Sequence, residues 1–326
     1  MATHGKQRLG QEHIVLAIAA IVLLVFAVVV PGFLSASNLI ALVQNVSILG
    51  ILACGMALTI VGRGIDLSMV SSMAVSVGWM LVQLNAGASL AEALAYAVLF
   101  SVLVGIINGV LIAYVEIPAI FVTLAMGVTI YGFGKFFLVD ADVNYLPESW
   151  TWLVQAVAAR PFGIPVPVLV LAVCALLVHL LLQYTRDGRF ILAMGDNPLA
   201  ARTSGLPVRL LVLLQYVLSS LIALVAGLLM ALLVASMNTR IASSTLVYDV
   251  ILVVVLGGVS LSGGRGRVSS VVAGTLLIGI LLNGMTMLNL SYTAQNVIKA
   301  LILLLALTLD TLINPRDEQT SQQGDI

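Results

Sequence analysis

Few side chains in this 326-residue chain could do chemistry, and the best placed of them lie in apolar sequence. Asp66 in "VGRGIDLS" follows two glycines, where a helix can unwind. Its carboxylate can cap the next helix, with Ser68 beside it and Arg63 as a candidate counter-ion, or it can act as a gate or polar contact on a solute path. One reason or the other is needed, because an ionisable group at mid-membrane depth costs about 2.5–3.5 kcal/mol on insertion scales. Asn108 sits in an apolar stretch with Gly105 and Gly109 at small-xxx-small spacing. That spacing favours close helix packing with the amide bonding across it, and the other use of the amide is to meet a solute hydroxyl. Gln44 and Asn45, and Asn283 and Asn289, pose the same choice. Asp249 and Lys299 fall within a turn or two of predicted outer helix ends, where snorkelling or interfacial water relieves their charge. Trp79, Tyr131 and Phe133 read as packing aromatics, with ring stacking on a solute as the alternative.

Other chemistries are excluded by what is missing. "GFGKFF" at 132–137 lacks both the spacing and the hydroxyl of a G-x-x-x-x-G-K-[ST] phosphate loop, so no ATP and no cofactor is expected on this chain. His4 and His13 are near the N-terminus and His179 is alone in an apolar run, so no Ser-His-Asp set is formed. Cys54 and Cys174 read as small packing residues, and no Cys/His cluster has metal-ligand spacing. Nor do the spans carry the ladder of acidic residues that proton-coupled carriers use.

The elements that must position these residues are membrane helices. The chain is 61% hydrophobic and 9% charged, with mean hydropathy +1.16, against about a quarter charged in ordinary soluble domains. Net charge is zero, so nothing marks it for nucleic acid. Read against about 20 apolar residues per crossing, ten spans are expected, at roughly 13–33, 38–61, 67–85, 92–115, 118–138, 164–184, 208–234, 247–262, 269–289 and 295–313. The glycine-rich stretches Gly62–Ser68 and Gly257–Gly266 are expected to be broken helices or re-entrant turns. The run at 14–30 is read as an uncleaved first helix, being longer than a signal-peptide core. Lys6, Arg8, the arginines of 185–209, Arg265, Arg267 and Arg316 all fall on one side of a ten-span chain, which puts both termini in the cytoplasm. The loop 139–163, with Asp140, Asp142, Glu148, Trp150 and Trp152, suits the outer interface. The expected fold is therefore an all-α polytopic membrane protein forming one transmembrane domain over 1–326, with disordered cytoplasmic tails at 1–12 and 315–326.

The longest polar interruption is "TRDGRFILAMGDNPLAARTSGLPVR", 185–209. Asn197 can cap a short helix, Pro198 sits where its missing N–H costs nothing, and Gly205 can end the helix in the left-handed conformation. A capped helix of about two turns on the cytoplasmic side is a handle for another protein, and Ala200 and Ala201 allow close approach into a cleft. A "GRG" occurs at 62–64 and again at 264–266, each beside a glycine-broken helix end, as in an internal repeat.

"GMALTIVGRGIDLSMVSS" (55–72), "NGVLIAYVEIPAIFVTLAMG" (108–127), "AMGDNPLAARTSGLPVRLL" (193–211) and "VYDVILVVVLGGVSLSGGRGRV" (247–268) resemble, in order and spacing, the permeases of bacterial ribose-type sugar importers driven by ATP-binding cassettes. The resemblance runs from about residue 38 to Asp310. It implies a multi-pass protein of the bacterial cytoplasmic (inner) membrane, a separate ATPase subunit carrying ATP and Mg, a second permease copy or a related permease, and a periplasmic sugar-binding protein. It also implies that 195–205 is a coupling helix, with Gly195, Asn197, Pro198, Ala200, Ala201 and Gly205 its working residues, and that Asp66 and Asn108 belong to motifs lining the membrane core; with Ser68 and Asn45, these two are the candidate residues of the substrate path or gate. Two positions depart from the family pattern. Arg63 stands before Gly64 where "GGIDLS" is usual, and Lys299 stands where a small residue is usual. The expected solute is a monosaccharide, with a nucleoside or polyol permease or a self-sufficient carrier as alternatives. A scaffold or membrane enzyme has no catalytic constellation behind it.

Overall fold

The computed structural model describes residues 11–313. Thirteen α-helices carry the described chain: α1 (Gln11–Val29), α2 (Ala36–Val61), α3 (Met69–Asn85), α4 (Leu90–Ala113), α5 (Ala119–Phe133), α6 (Thr151–Ala158), α7 (Val166–Tyr184), α8 (Arg186–Asp196), α9 (Pro198–Thr203), α10 (Val208–Val234), α11 (Leu246–Leu256), α12 (Val268–Met287) and α13 (Tyr292–Ile313). A wider π turn, Gly134–Leu138, continues α5. The β-structure among these residues is one antiparallel ribbon, β1 (Val143–Tyr145) on β2 (Ser236–Asn238).

Among the described residues seven helices are long and apolar enough to cross a membrane, and α3 and α11 are shorter apolar helices; α13 runs 22 residues. The ten expected spans fall on these ten helices, of which α11 has only 11 residues. The span expected at 247–262 stops at Leu256, where Gly257 and Gly258 follow. Eleven residues rise only about 16 Å against a hydrocarbon core of about 30 Å, so α11 is too short to cross alone. Of the tail expected at 1–12, residues 11 and 12 are helical and the rest lies outside the described residues, as does the tail expected at 315–326.

The bundle is organised around α2. Ser35 caps its start, and every residue from Val46 to Val61 is buried, as befits a helix that is apolar on all sides. Gly55 lets α10 approach, because an added Cβ would lie 3.3 Å from Ile222. On the other side, Asn38 of α2 and Asn283 of α12 exchange amide hydrogen bonds of 3.0 and 2.9 Å. Asn283 is helix glue, the structural arm of the choice posed by the sequence. Asn289 serves a turn, its backbone left-handed at φ 54°. The small-xxx-small pair of α4 meets the α10 backbone, with added Cβ atoms at Gly105 and Gly109 falling 2.5 Å from Val217 Cα and 2.6 Å from Leu213 Cα. Such contacts replace the hydrophobic drive that is lost between helices in lipid.

Helix direction alternates along the chain, so the 62–68 turn, the α4–α5 turn, the 185–209 segment and 257–267 gather at one end. The β1–β2 ribbon and α6 lie at the other. The interfacial loop expected at 139–163 thus carries β1 and α6. Trp79 packs on Tyr96 at 5.1 Å between ring centres, the packing role expected of it.

Candidate functional site

At the first end, the glycine turn after α2 positions a buried polar cluster. Arg63 donates its backbone N–H to Ile60 O and Gly64 to Thr59 O, closing α2. The chain then delivers Asp66 to the start of α3. Its Oδ1 accepts from the Ser68 N–H at 3.1 Å and the Ser68 hydroxyl at 2.6 Å, and its Oδ2 accepts from Ser219 of α10 at 2.8 Å. Asn108 of α4 donates to Ser68 Oγ at 2.8 Å, and Thr123 of α5 donates to Ile65 O at 3.0 Å. Asp66, Ser68 and Asn108 are all within 1% of full burial. The cluster therefore ties the start of α3 to the first turns of α5, to α4 near its end and to α10 about three turns in, with the Asp66 carboxylate held at the entry to α3. Asn108 Oδ1 and Gln215 Nε2 are buried without a hydrogen-bond partner. Asn45 is not part of the cluster: it is exposed on α2.

The 185–209 segment folds as two helices. Thr185 caps α8 by accepting from the Gly188 N–H at 3.0 Å, and Asn197 caps α9 by accepting from the Ala200 N–H at 2.9 Å. Gly205 is left-handed at φ 77°. Pro198 occupies the first turn of α9. The local punctuation is as the sequence predicts, and α8 is the addition. Its signals were Thr185, Asp187 in the first turn, and Gly188, Ile191, Met194 and Gly195 on one buried face.

The segment's residues face two ways. Asn197, Leu199, Ala200, Arg202, Thr203 and Gly205 are exposed, whereas Gly195 and Ala201 are buried. Ala201 therefore packs inward and cannot enter an external cleft, correcting the expectation that it does so with Ala200. Gly195 sits on the two glycine turns: an added Cβ would lie 1.9 Å from Val61 O and 2.6 Å from Gly264 N. Gly264 in turn donates to Val61 O at 2.8 Å, so the two "GRG" segments touch one another beneath the end of α8. Glu116, between α4 and α5, lies 3.6 Å from both Arg202 and Arg209. These exposed pairs position more than they stabilise, at about 0–1 kcal/mol each. The inward seat on Gly263 and Gly264 escaped the sequence reading, although "SGGRG" carried the signal.

At the opposite end, Lys299 of α13 lies 2.8 Å from Asp249 Oδ1 of α11 and donates to Oδ2 at 3.0 Å and to Thr245 Oγ1 at 3.2 Å. Both side chains are about nine-tenths buried. The solvated helix ends expected for them are thus corrected to a buried ion pair, which meets the cost of each charge with the other. In the outer loop, Lys135 lies 2.9 Å from Asp142 and Arg240 also pairs with it. The Lys135 hydrogen bond, aided by both positive charges, holds the Asp142 carboxyl below the usual aspartate range. Among the described residues no group of three His, Cys, Asp or Glu could hold a metal ion.

A polytopic helical bundle with a buried polar cluster and an exposed capped helix at one end is the architecture of a membrane transport permease. The chain matches the family described as "Branched-chain amino acid transport system / permease component" over residues 38–307 and belongs to it. Among its relatives, the L-arabinose transport system permease protein AraH of Escherichia coli (strain K12) is 36% identical, over 93% of this chain and 91% of that protein. The ribose import permease protein RbsC of Bacillus subtilis (strain 168) is 35% identical, over 89% of each chain. The probable ABC transporter permease protein YphD of E. coli (strain K12) is 33% identical, over 94% and 91%. No solved structure matches the chain.

Proposed function

We propose that this chain is the membrane-spanning subunit of an ATP-driven importer for a monosaccharide, worked from the cytoplasmic side by a separate ATPase. The observation that carries this reading is α9: six residues, side-chain capped by Asn197, exposed on Leu199, Ala200 and Arg202, and joined to a helix seated on both glycine turns. A rigid helix presented outward and footed inward is suited to carry force from a partner to the spans. The relatives named for L-arabinose and ribose supply the solute class. On this reading both termini are cytoplasmic, ATP and Mg belong to the partner ATPase, and a second permease completes the path. A periplasmic sugar-binding protein delivers the solute, and lipid surrounds the remaining surface.

Closure of the ATPase would displace α9 and with it α8. Because Gly195 rests on Val61 O and Gly264 N, that displacement reaches the start of α3, where Asp66 ties α3 to α10 and, through Ser68 and Asn108, to α4. Alternating access follows as a rocking of these helices about the buried cluster. Deletion of residues 197–205 tests the reading: ATPase association should be lost while membrane insertion is retained. Intact association after the deletion would refute the coupling role.

A further inference from the structure

Arg63 occupies a backbone conformation that its side chain should disfavour. Its φ is 65°, in the left-handed region where a Cβ crowds the following carbonyl and glycine is the ordinary choice. The glycines on either side are required by packing, since an added Cβ would lie 1.9 Å from Gln215 Nε2 at position 62 and 2.4 Å from the Tyr216 hydroxyl at position 64. Position 63 is different. Its side chain leaves the turn outward, so glycine is asked for there by φ alone, and the chain accepts the strain of an arginine.

What the arginine does is visible in its contacts. Nε donates to Ser262 O at 2.8 Å, and Nη2 donates to Asp196 O at 3.1 Å. The first acceptor belongs to the glycine-rich turn between α11 and α12, and the second is the last residue of α8. The stem lies against the same junction, an added Cβ at Gly263 falling 2.5 Å from Arg63 Cγ. A planar guanidinium with several fixed donors can span two carbonyls in this way, whereas a lysine ammonium cannot hold the same geometry. Strain held at one residue, with its side chain bridging two separate segments, points to a mechanical role.

We propose that Arg63 is a positioning residue that clamps the end of α8 to both glycine turns, so that movement of α8 and α9 is passed to α3 and α12 together. The coupling part of this inference rests on the proposed function; the clamp itself does not. Without Arg63, α8 would still rest on Val61 and Gly264 by shape, but it could lift from one turn while the other stayed in place. The residue would then set the efficiency of coupling without contacting the solute.

The test is Arg63→Gly, which removes the clamp and the strain together and so should fold. In the full-length permease in detergent, hydrogen exchange of the amides in 193–197 and 258–266 is expected to accelerate about fivefold to thirtyfold, the factor for one or two exposed hydrogen bonds. Arg63→Lys should rescue this only in part. Unchanged exchange in both segments would overturn the clamp. In liposomes holding the permease, its ATPase and its binding protein, Arg63→Gly should raise the ATP hydrolysed per solute imported by a similar factor. An unchanged ratio alongside faster exchange would overturn the coupling role while leaving the clamp. Uptake that needs no ATPase at all would overturn the proposed function and the coupling role with it, and the exchange arm would still decide the clamp.

Discussion

Gly195→Ala separates the two ways in which the 185–209 segment can work. The added methyl would lie 1.9 Å from Val61 O and 2.6 Å from Gly264 N, where ordinary contact begins at 3.4 Å. Both obstacles are backbone atoms that cannot rotate away, so the end of α8 must part from the turn by about 1.5 Å, the shortfall at Val61 O, and overpacking of this kind costs about 1–3 kcal/mol. If α8 must be seated for the helices to rock, that cost weights the seated state down by about 5- to 150-fold. Uptake by liposomes containing the permease, ATPase and binding protein should fall within that range. Co-purification of the ATPase should persist, because the exposed face of α9 is untouched. Ala200→Trp is the complementary variant and should lose ATPase association instead. Normal uptake by Gly195→Ala, or loss of ATPase association as its first defect, would refute the seat.

Three further perturbations follow from the same structure. Asn197→Ala removes the cap of α9 and should cost that helix about 1 kcal/mol, seen as weaker ATPase co-purification at unchanged permease yield. Lys299→Met leaves Asp249 buried and unpaired and should destabilise by about 3–5 kcal/mol, while the double variant Asp249→Leu with Lys299→Met should recover most of that loss in thermal unfolding. Asp142 has a folded-state pKa below its unfolded one, so its support of the outer loop is complete above the ordinary aspartate range and is lost as pH falls through it. Proteolytic nicking of 139–165 should therefore be flat from neutral to mildly acid pH and rise only below that range, and loss of protection near neutrality would contradict the Lys135 and Arg240 pairing.

The parts of the fold written locally were legible. Apolar length marked the spans, Gly257 and Gly258 marked the break after α11, and Asn197, Pro198 and Gly205 marked α9 because caps act within a few residues. Long-range pairings were not legible. Asp249 and Lys299 are fifty residues apart, and each alone reads as a solvated end. The inward seat of Gly195 depends on two turns from opposite parts of the chain meeting under one helix, so "GRG" at 62–64 and 264–266 suggested likeness without contact. α8 was hidden for another reason: four charged residues and two glycines in eleven positions dilute its apolar face, which is buried mainly through close backbone approach. Asp66, Ser68 and Asn108 were picked out one by one by their cost in a membrane, and their mutual bonding came only with the fold. Asn45, chosen on the same ground, lies apart and exposed.

The most direct measurement is uptake of labelled monosaccharide into liposomes carrying the purified chain with its binding protein, with and without the partner ATPase and ATP inside the appropriate compartment. Accumulation that requires both the ATPase and ATP hydrolysis is the predicted result. Accumulation by the chain alone would contradict it and would make this a self-sufficient carrier.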